Sequence, residues 1–126
     1  MHVTVSGGNW RYLMIEDPFL AGAEPIERDD LYEIAERPRW WGSGWWAERE
    51  FHDDHAAFFV DWFRSGQHEF RYLLKVVNPG KFRVSPARVE PMYQPQYLAT
   101  SDGLEIEVSS ATPTQSAQAF AAREVR

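Results

Sequence analysis

"WRYLMIEDP", residues 10–18, alternates bulky and polar side chains until Asp17-Pro18 stops it. A period of two, with no 3.6-residue recurrence, is the mark of a strand buried on one face. The same period recurs on both sides of it. "WAEREFH" (46–52) sets Trp46, Glu48 and Glu50 on one face and Ala47, Arg49 and Phe51 on the other. "AAFFVDWF" (56–63) and "EFRYLLKVV" (69–77) are rich in the aromatic and β-branched residues that favour strands. "KFRVSPARVE" (81–90) aligns Phe82, Val84 and Pro86, and the proline suggests an edge position or a bulge. "LEIEVSS" (104–110) points Leu104, Ile106 and Val108 inward and Glu105 and Glu107 outward.

Turn signals fall between these runs at Asp53-Asp54, Ser65-Gly66, Asn78-Pro79-Gly80 and Ser101-Asp102-Gly103. About seven short strands so punctuated predict an all-β fold, an antiparallel β-sandwich. "DDLYEIAER" (29–37) fits a helix after an aspartate cap, but Tyr32 and Ile34 also fit a strand, the reading preferred here. After Val108 the composition turns small and polar, so a sandwich domain over 1–108 and a flexible tail over 109–126, with transient helix at 115–124, are expected.

Composition bounds the function. A chain of 126 residues with 44% hydrophobic and 25% charged residues is ordinary for one soluble domain. Thirteen Lys and Arg against 19 Asp and Glu give a net charge of −6, without the basic face that nucleic-acid binding needs. No apolar run is long enough to span a bilayer, and "MHVTVSGGNW" (1–10) has neither region of a signal peptide. Without cysteine there is no disulfide framework, no thiol nucleophile and no Cys-based zinc site.

Candidate chemistry is sparse. "HDDH" (52–55) holds metal-type ligands, yet alternation separates His52 from Asp53, and a tight turn capped by Asp53 and Asp54 is the simpler reading. The acid pairs Glu16/Asp17 and Asp29/Asp30 are expected to be solvated or turn-forming. No nucleophile elbow, P-loop or dinucleotide fingerprint is present, so neither an enzyme nor a cofactor is expected.

Two features point outward. "RPRWWGSGWW" (37–46) places Trp40, Trp41, Trp45 and Trp46 around a Gly-Ser-Gly tip, beside Arg37, Arg39 and Arg49. Three readings fit these tryptophans: core or rim, a protein docking surface of hot-spot composition, or a carbohydrate-binding platform. In "ARVEPMYQPQYLATSDG" (87–103), Pro91 and Pro95 bracket Met92-Tyr93, so a stiff loop either presents these side chains to a partner or plugs one end of the sandwich.

The segments "MIEDPFLAGAE" (14–24), "RPRWWGSGWWAEREFHDDHAAFF" (37–59), "FRYLLKVVNPGKFRVSPARVEPMYQPQYLATS" (70–101) and the closing "LEIEV" resemble the C-terminal macroglobulin-like domain of bacterial alpha-2-macroglobulin-like proteins. The most specific part is the ordered set of "FRVSPARVE", "MYQP" and a final alternating strand. The resemblance implies an immunoglobulin-like β-sandwich in an exported protease inhibitor, periplasmic or at the cell surface, whose signal lies upstream. It implies a non-catalytic domain that docks on the thioester-containing domain of the parent chain and meets proteases only indirectly. In the matching "M-Y-x-P" motif the tyrosine covers the thioester; here it is Tyr93, beside Met92. The thioester cysteine itself would lie elsewhere in the parent, since this chain has none. The competing reading is a carbohydrate-binding module using the tryptophan-rich hairpin.

Overall fold

The computed structural model describes residues 1–28, 47–110 and 122–125. Two sheets carry the core. A three-stranded sheet has the order β12-β1-β6, from β1 (His2–Gly7), β6 (Gly66–Arg71) and β12 (Ala122–Val125). A five-stranded sheet has the order β10-β9-β2-β5-β4, from β2 (Trp10–Pro18), β4 (Ala47–Phe51), β5 (His55–Phe63), β9 (Arg88–Pro91) and β10 (Ala99–Thr100). Two further pairs complete it: β3 (Ala23–Ile26) with β7 (Leu73–Val76), and β8 (Gly80–Val84) with β11 (Leu104–Val108). The antiparallel all-β sandwich of the sequence reading is what forms.

The period-two pattern explains which side chains meet. Along β2, Leu13, Ile15 and Asp17 are buried while Met14 and Glu16 are only half covered. Pairing in register with β5 sets Leu13 opposite Val60 and Ile15 opposite Phe58. From the other sheet Val3, Val5, Phe70 and Val125 close on them, and Phe19, Ala56, Phe63, Tyr72, Ala87 and Val89 complete the cluster. Burying a side chain of this size stabilises by about 1.5–3 kcal/mol, so this cluster is the main source of stability. In β4 and β11 the expected inward and outward sets also alternate as read.

The four turn signals all fall between strands or run into the first residue of one, yet twelve strands are described where about seven were expected. Two expected strands are each divided. "EFRYLLKVV" breaks at Tyr72, so that β6 pairs with β1 and β7 with β3. "KFRVSPARVE" breaks around Pro86, and the chain leaves β11's partner to join β2. Pro86 therefore marks a crossing between sheets, with the missing amide placed where no ladder is needed.

Within the 109–126 segment, where composition suggests a tail, residues 111–121, with most of the expected 115–124 helix, lie outside the described residues, and the last residues depart from that expectation. Ala122–Val125 forms β12, pairs in parallel with β1 and buries Val125 completely. Only Ala122 and Val125 in this strand are apolar, and what buries Val125 lies far away in the sequence. The 29–37 segment and the hairpin tryptophans Trp40, Trp41, Trp45 and Trp46 lie outside the described residues. No helix among the described residues is long and apolar enough to cross a membrane.

Candidate functional site

At one end of the sandwich the chain turns twice after β9. Gln94 N–H donates to Pro91 O at 3.1 Å, and Tyr97 N–H donates to Gln94 O at 3.1 Å. Met92 N–H donates to Tyr12 O at 2.8 Å, fastening the start of the loop to β2. Tyr12 adopts φ of 53°, the left-handed region that a bulky residue rarely occupies. Such a conformation persists only when its surroundings impose it, and it costs on the order of 1–3 kcal/mol.

Met92 and Tyr93 stand out from this frame, 45% and 75% exposed. The Tyr93 ring meets Tyr12 edge-on, centroids 5.4 Å apart, so the side chain is supported from below and open above. The second half of the loop behaves differently. Tyr97 packs on Trp10 at 5.3 Å, and with Leu98 it lines an open pocket of about 380 Å³ whose other walls include Val5, Leu13, Phe63 and Val89. The segment thus exposes Met92 and Tyr93 in its first half and packs Tyr97 on Trp10 in its second. Nearby, Arg11 lies 4.3 Å over the half-exposed Trp62 ring, a cation–π pair that rims the same end.

"HDDH" is the turn that the sequence suggested. His52 N–H donates to His55 O at 2.9 Å, and the two imidazoles stack at 4.5 Å. Their polar neighbours are carboxylates: Glu50 Oε2 at 3.6 Å from His52 Nε2, Glu16 Oε1 at 3.8 Å from His55 Nε2, and Asp54 Oδ1 at 2.5 Å from His55 Nδ1. The hydrogen bond from His55 holds the Asp54 carboxyl below its usual pKa. Parallel stacked rings do not aim their nitrogens at one point, and no group of three or more metal-type ligands is assembled among the described residues.

The acid pair Glu16/Asp17 is not as expected. Glu16 is on the surface, near Arg88 at 3.8 Å, but Asp17 is fully buried and accepts a 2.6 Å hydrogen bond from Tyr72 Oη. Period-two alternation carried the signal, since Asp17 shares its face with Leu13 and Ile15. The two carboxyls therefore face opposite sides of one strand and cannot act on a common bond.

The family model of the bacterial alpha-2-macroglobulin MG10 domain matches residues 1–96. The chain belongs to that family. The match takes in β1 to β9 and the projecting Met92 and Tyr93 of this MG10 domain, while Tyr97, Leu98 and β10 to β12 lie beyond it. No curated protein and no solved structure matches the chain. The MG10 assignment accords with the macroglobulin-like β-sandwich described above.

Proposed function

We propose that this domain is a non-catalytic docking module of an exported bacterial alpha-2-macroglobulin-like protease inhibitor, and that Tyr93, with Met92, shields the thioester-containing domain of the same parent chain. The observation that carries the reading is the presentation of Tyr93. A tyrosine three-quarters exposed, braced by Tyr12 and fastened through the Met92–Tyr12 main-chain bond, is an aromatic surface prepared for burial against something else. Tyrosine gives large contact area at low conformational cost, which suits it to that use.

The physical effect follows from exclusion of water. Hydrolysis of a thioester needs water to add to the acyl carbon while thiolate leaves; an aromatic lid over that carbon removes the water and its pathway. Shielding requires only an aromatic surface held in place, and Tyr93 braced by Tyr12 supplies one. Export to the periplasm or cell surface and indirect contact with proteases belong to the same reading.

The test uses the full parent chain. Tyr93→Gly should speed the spontaneous appearance of free thiol several-fold, read by a thiol reagent, while Tyr93→Phe keeps the wild-type rate. An unchanged rate in Tyr93→Gly, or a parent chain without a thioester cysteine, overturns the shielding role.

A further inference from the structure

The two sides of β1 are not held alike. On one side β6 pairs antiparallel along its whole length, from His2 opposite Arg71 to Gly7 opposite Gly66. On the other side, among the described residues, the only partner is β12, in parallel, with His2 opposite Ala122 and Val5 opposite Val125 as the outer rungs. Parallel ladders are somewhat weaker per residue than antiparallel ones, and this one is four residues long. A short strand at a sheet edge belongs to the part of a fold that opens locally at little cost.

Val125 gives the strand its address. Its side chain is fully buried and belongs to the same cluster as Val3, Val5, Phe63 and Phe70. When β12 leaves, β1 is an open edge with unpaired N–H and C=O groups beside a notch of one valine. Such an edge is a template for another strand. What fits the ladder and the notch together is the segment that already fills them. The sequence between β11 and this strand, residues 109–121, is small and polar apart from Phe120.

We propose that this side of β1 is a strand-acceptor site, occupied by Ala122–Val125 within one copy and open to the same segment of a second copy. The rungs and the buried valine are identical in both arrangements, so exchange conserves the pairing of β12 and the burial of Val125. Tethering gives the segment an effective concentration in the millimolar range in its own copy, so closed monomers dominate in dilute solution and exchanged pairs grow in as concentration approaches that range. This site is at the sheet edge and does not involve Tyr93, so it is independent of the shielding role.

The absence of native cysteine makes the test direct. Val5 and Val125 are paired in register, so a chain carrying Val5→Cys and Val125→Cys together should oxidise at micromolar concentration to an internally cross-linked monomer. Chains carrying one substitution each, mixed at millimolar concentration, warmed and then oxidised, should give a dimer whose linked peptides contain positions 5 and 125. Failure of the double variant to cross-link internally overturns the occupied site; mixtures giving only like-with-like dimers, or none, overturn the exchange. Hydrogen exchange on the unsubstituted chain guards against misfolded variants. Amides of 122–125 should exchange at least tenfold faster than those of β2 and β5, and equal protection overturns the detachable strand.

Discussion

Tyr72 sits where β6 gives way to β7, and it is held at three atoms. Its amide donates to Met1 O at 3.1 Å, its carbonyl accepts from the Met1 amine at 2.9 Å, and its hydroxyl donates to the buried Asp17 carboxyl at 2.6 Å. Its ring packs between Phe19, Phe51 and Phe58. Tyr72→Phe keeps the ring but withdraws a donor from a carboxyl that water does not reach. The expected loss is about 1–3 kcal/mol of stability, read as a lower urea midpoint with an unchanged slope. Tyr12 calls for the opposite expectation. Tyr12→Asn retains a residue that tolerates the left-handed region and keeps the carbonyl that Met92 N–H uses, so stability should move by less than about 1 kcal/mol. Under the proposed shielding role, however, loss of the brace beneath Tyr93 should quicken thiol release in the full parent chain, as expected for Tyr93→Gly. A wild-type release rate in Tyr12→Asn would show that the brace has no part in shielding. Alternation in "WRYLMIEDP" already set Asp17 on the face of Leu13 and Ile15; that Tyr72 waits for it there could not be read, because the two are 55 positions apart.

At the scale of elements, the sequence shows which faces turn inward better than where strands stop. Local alternation is a property of neighbouring residues, and β2, β4 and β11 obey it. The breaks at Tyr72 and Pro86 depend on partners supplied by distant segments. The clearest case is the crossing from β8 to β9. Ala87 N–H donates to Ser101 Oγ at 2.9 Å, Ser101 N–H returns a bond to Ala87 O at 2.9 Å, and the hydroxyl donates to Asp102 O at 2.8 Å. Ser101 was legible only as a turn former; its work is to satisfy the backbone where the chain changes sheets. Ser101→Ala leaves the buried Ala87 amide without its acceptor, at an expected cost of about 1–3 kcal/mol. Hydrogen exchange should show the loss first at Ala87, with β5 protection lowered only by the global change. Faster exchange spread evenly over all strands would instead mean that the crossing is not a local joint. The Met92-Tyr93 loop follows β9 directly, so its position depends on this joint as well as on β2.

For the whole molecule, the two sheets are joined by one core, and acid should destabilise it through His2 of the three-stranded sheet. This imidazole lies between β1 and β6, with Nδ1 3.1 Å from Glu69 Oε1. Burial, the largest influence, lowers its pKa from 6.5, as do Arg71 and the Met1 amine, while the Glu69 and Asp17 carboxylates raise it. The folded protein therefore holds this proton less well than the unfolded chain does. Stability is highest above the unfolded value of 6.5, falls as pH drops through it, and levels off below the folded pKa. Asp54 acts in the same sense but at lower pH, because a depressed carboxyl contributes stability that is lost only as it becomes protonated; being fully exposed, it contributes little. Urea midpoints measured at pH 5.5 and 7.5 should differ, with the higher at 7.5, and His2→Gln should narrow the gap because the remaining side chain has no proton to gain. A gap of the same size in His2→Gln would place the acid sensitivity elsewhere. His2 also stands opposite Ala122 at the first rung of the β1–β12 ladder, so the loss of stability on its protonation is expected to reach that ladder. The unsubstituted chain should then release β12 more readily at pH 5.5 than at 7.5, which hydrogen exchange at 122–125, corrected for the intrinsic effect of pH, measures directly.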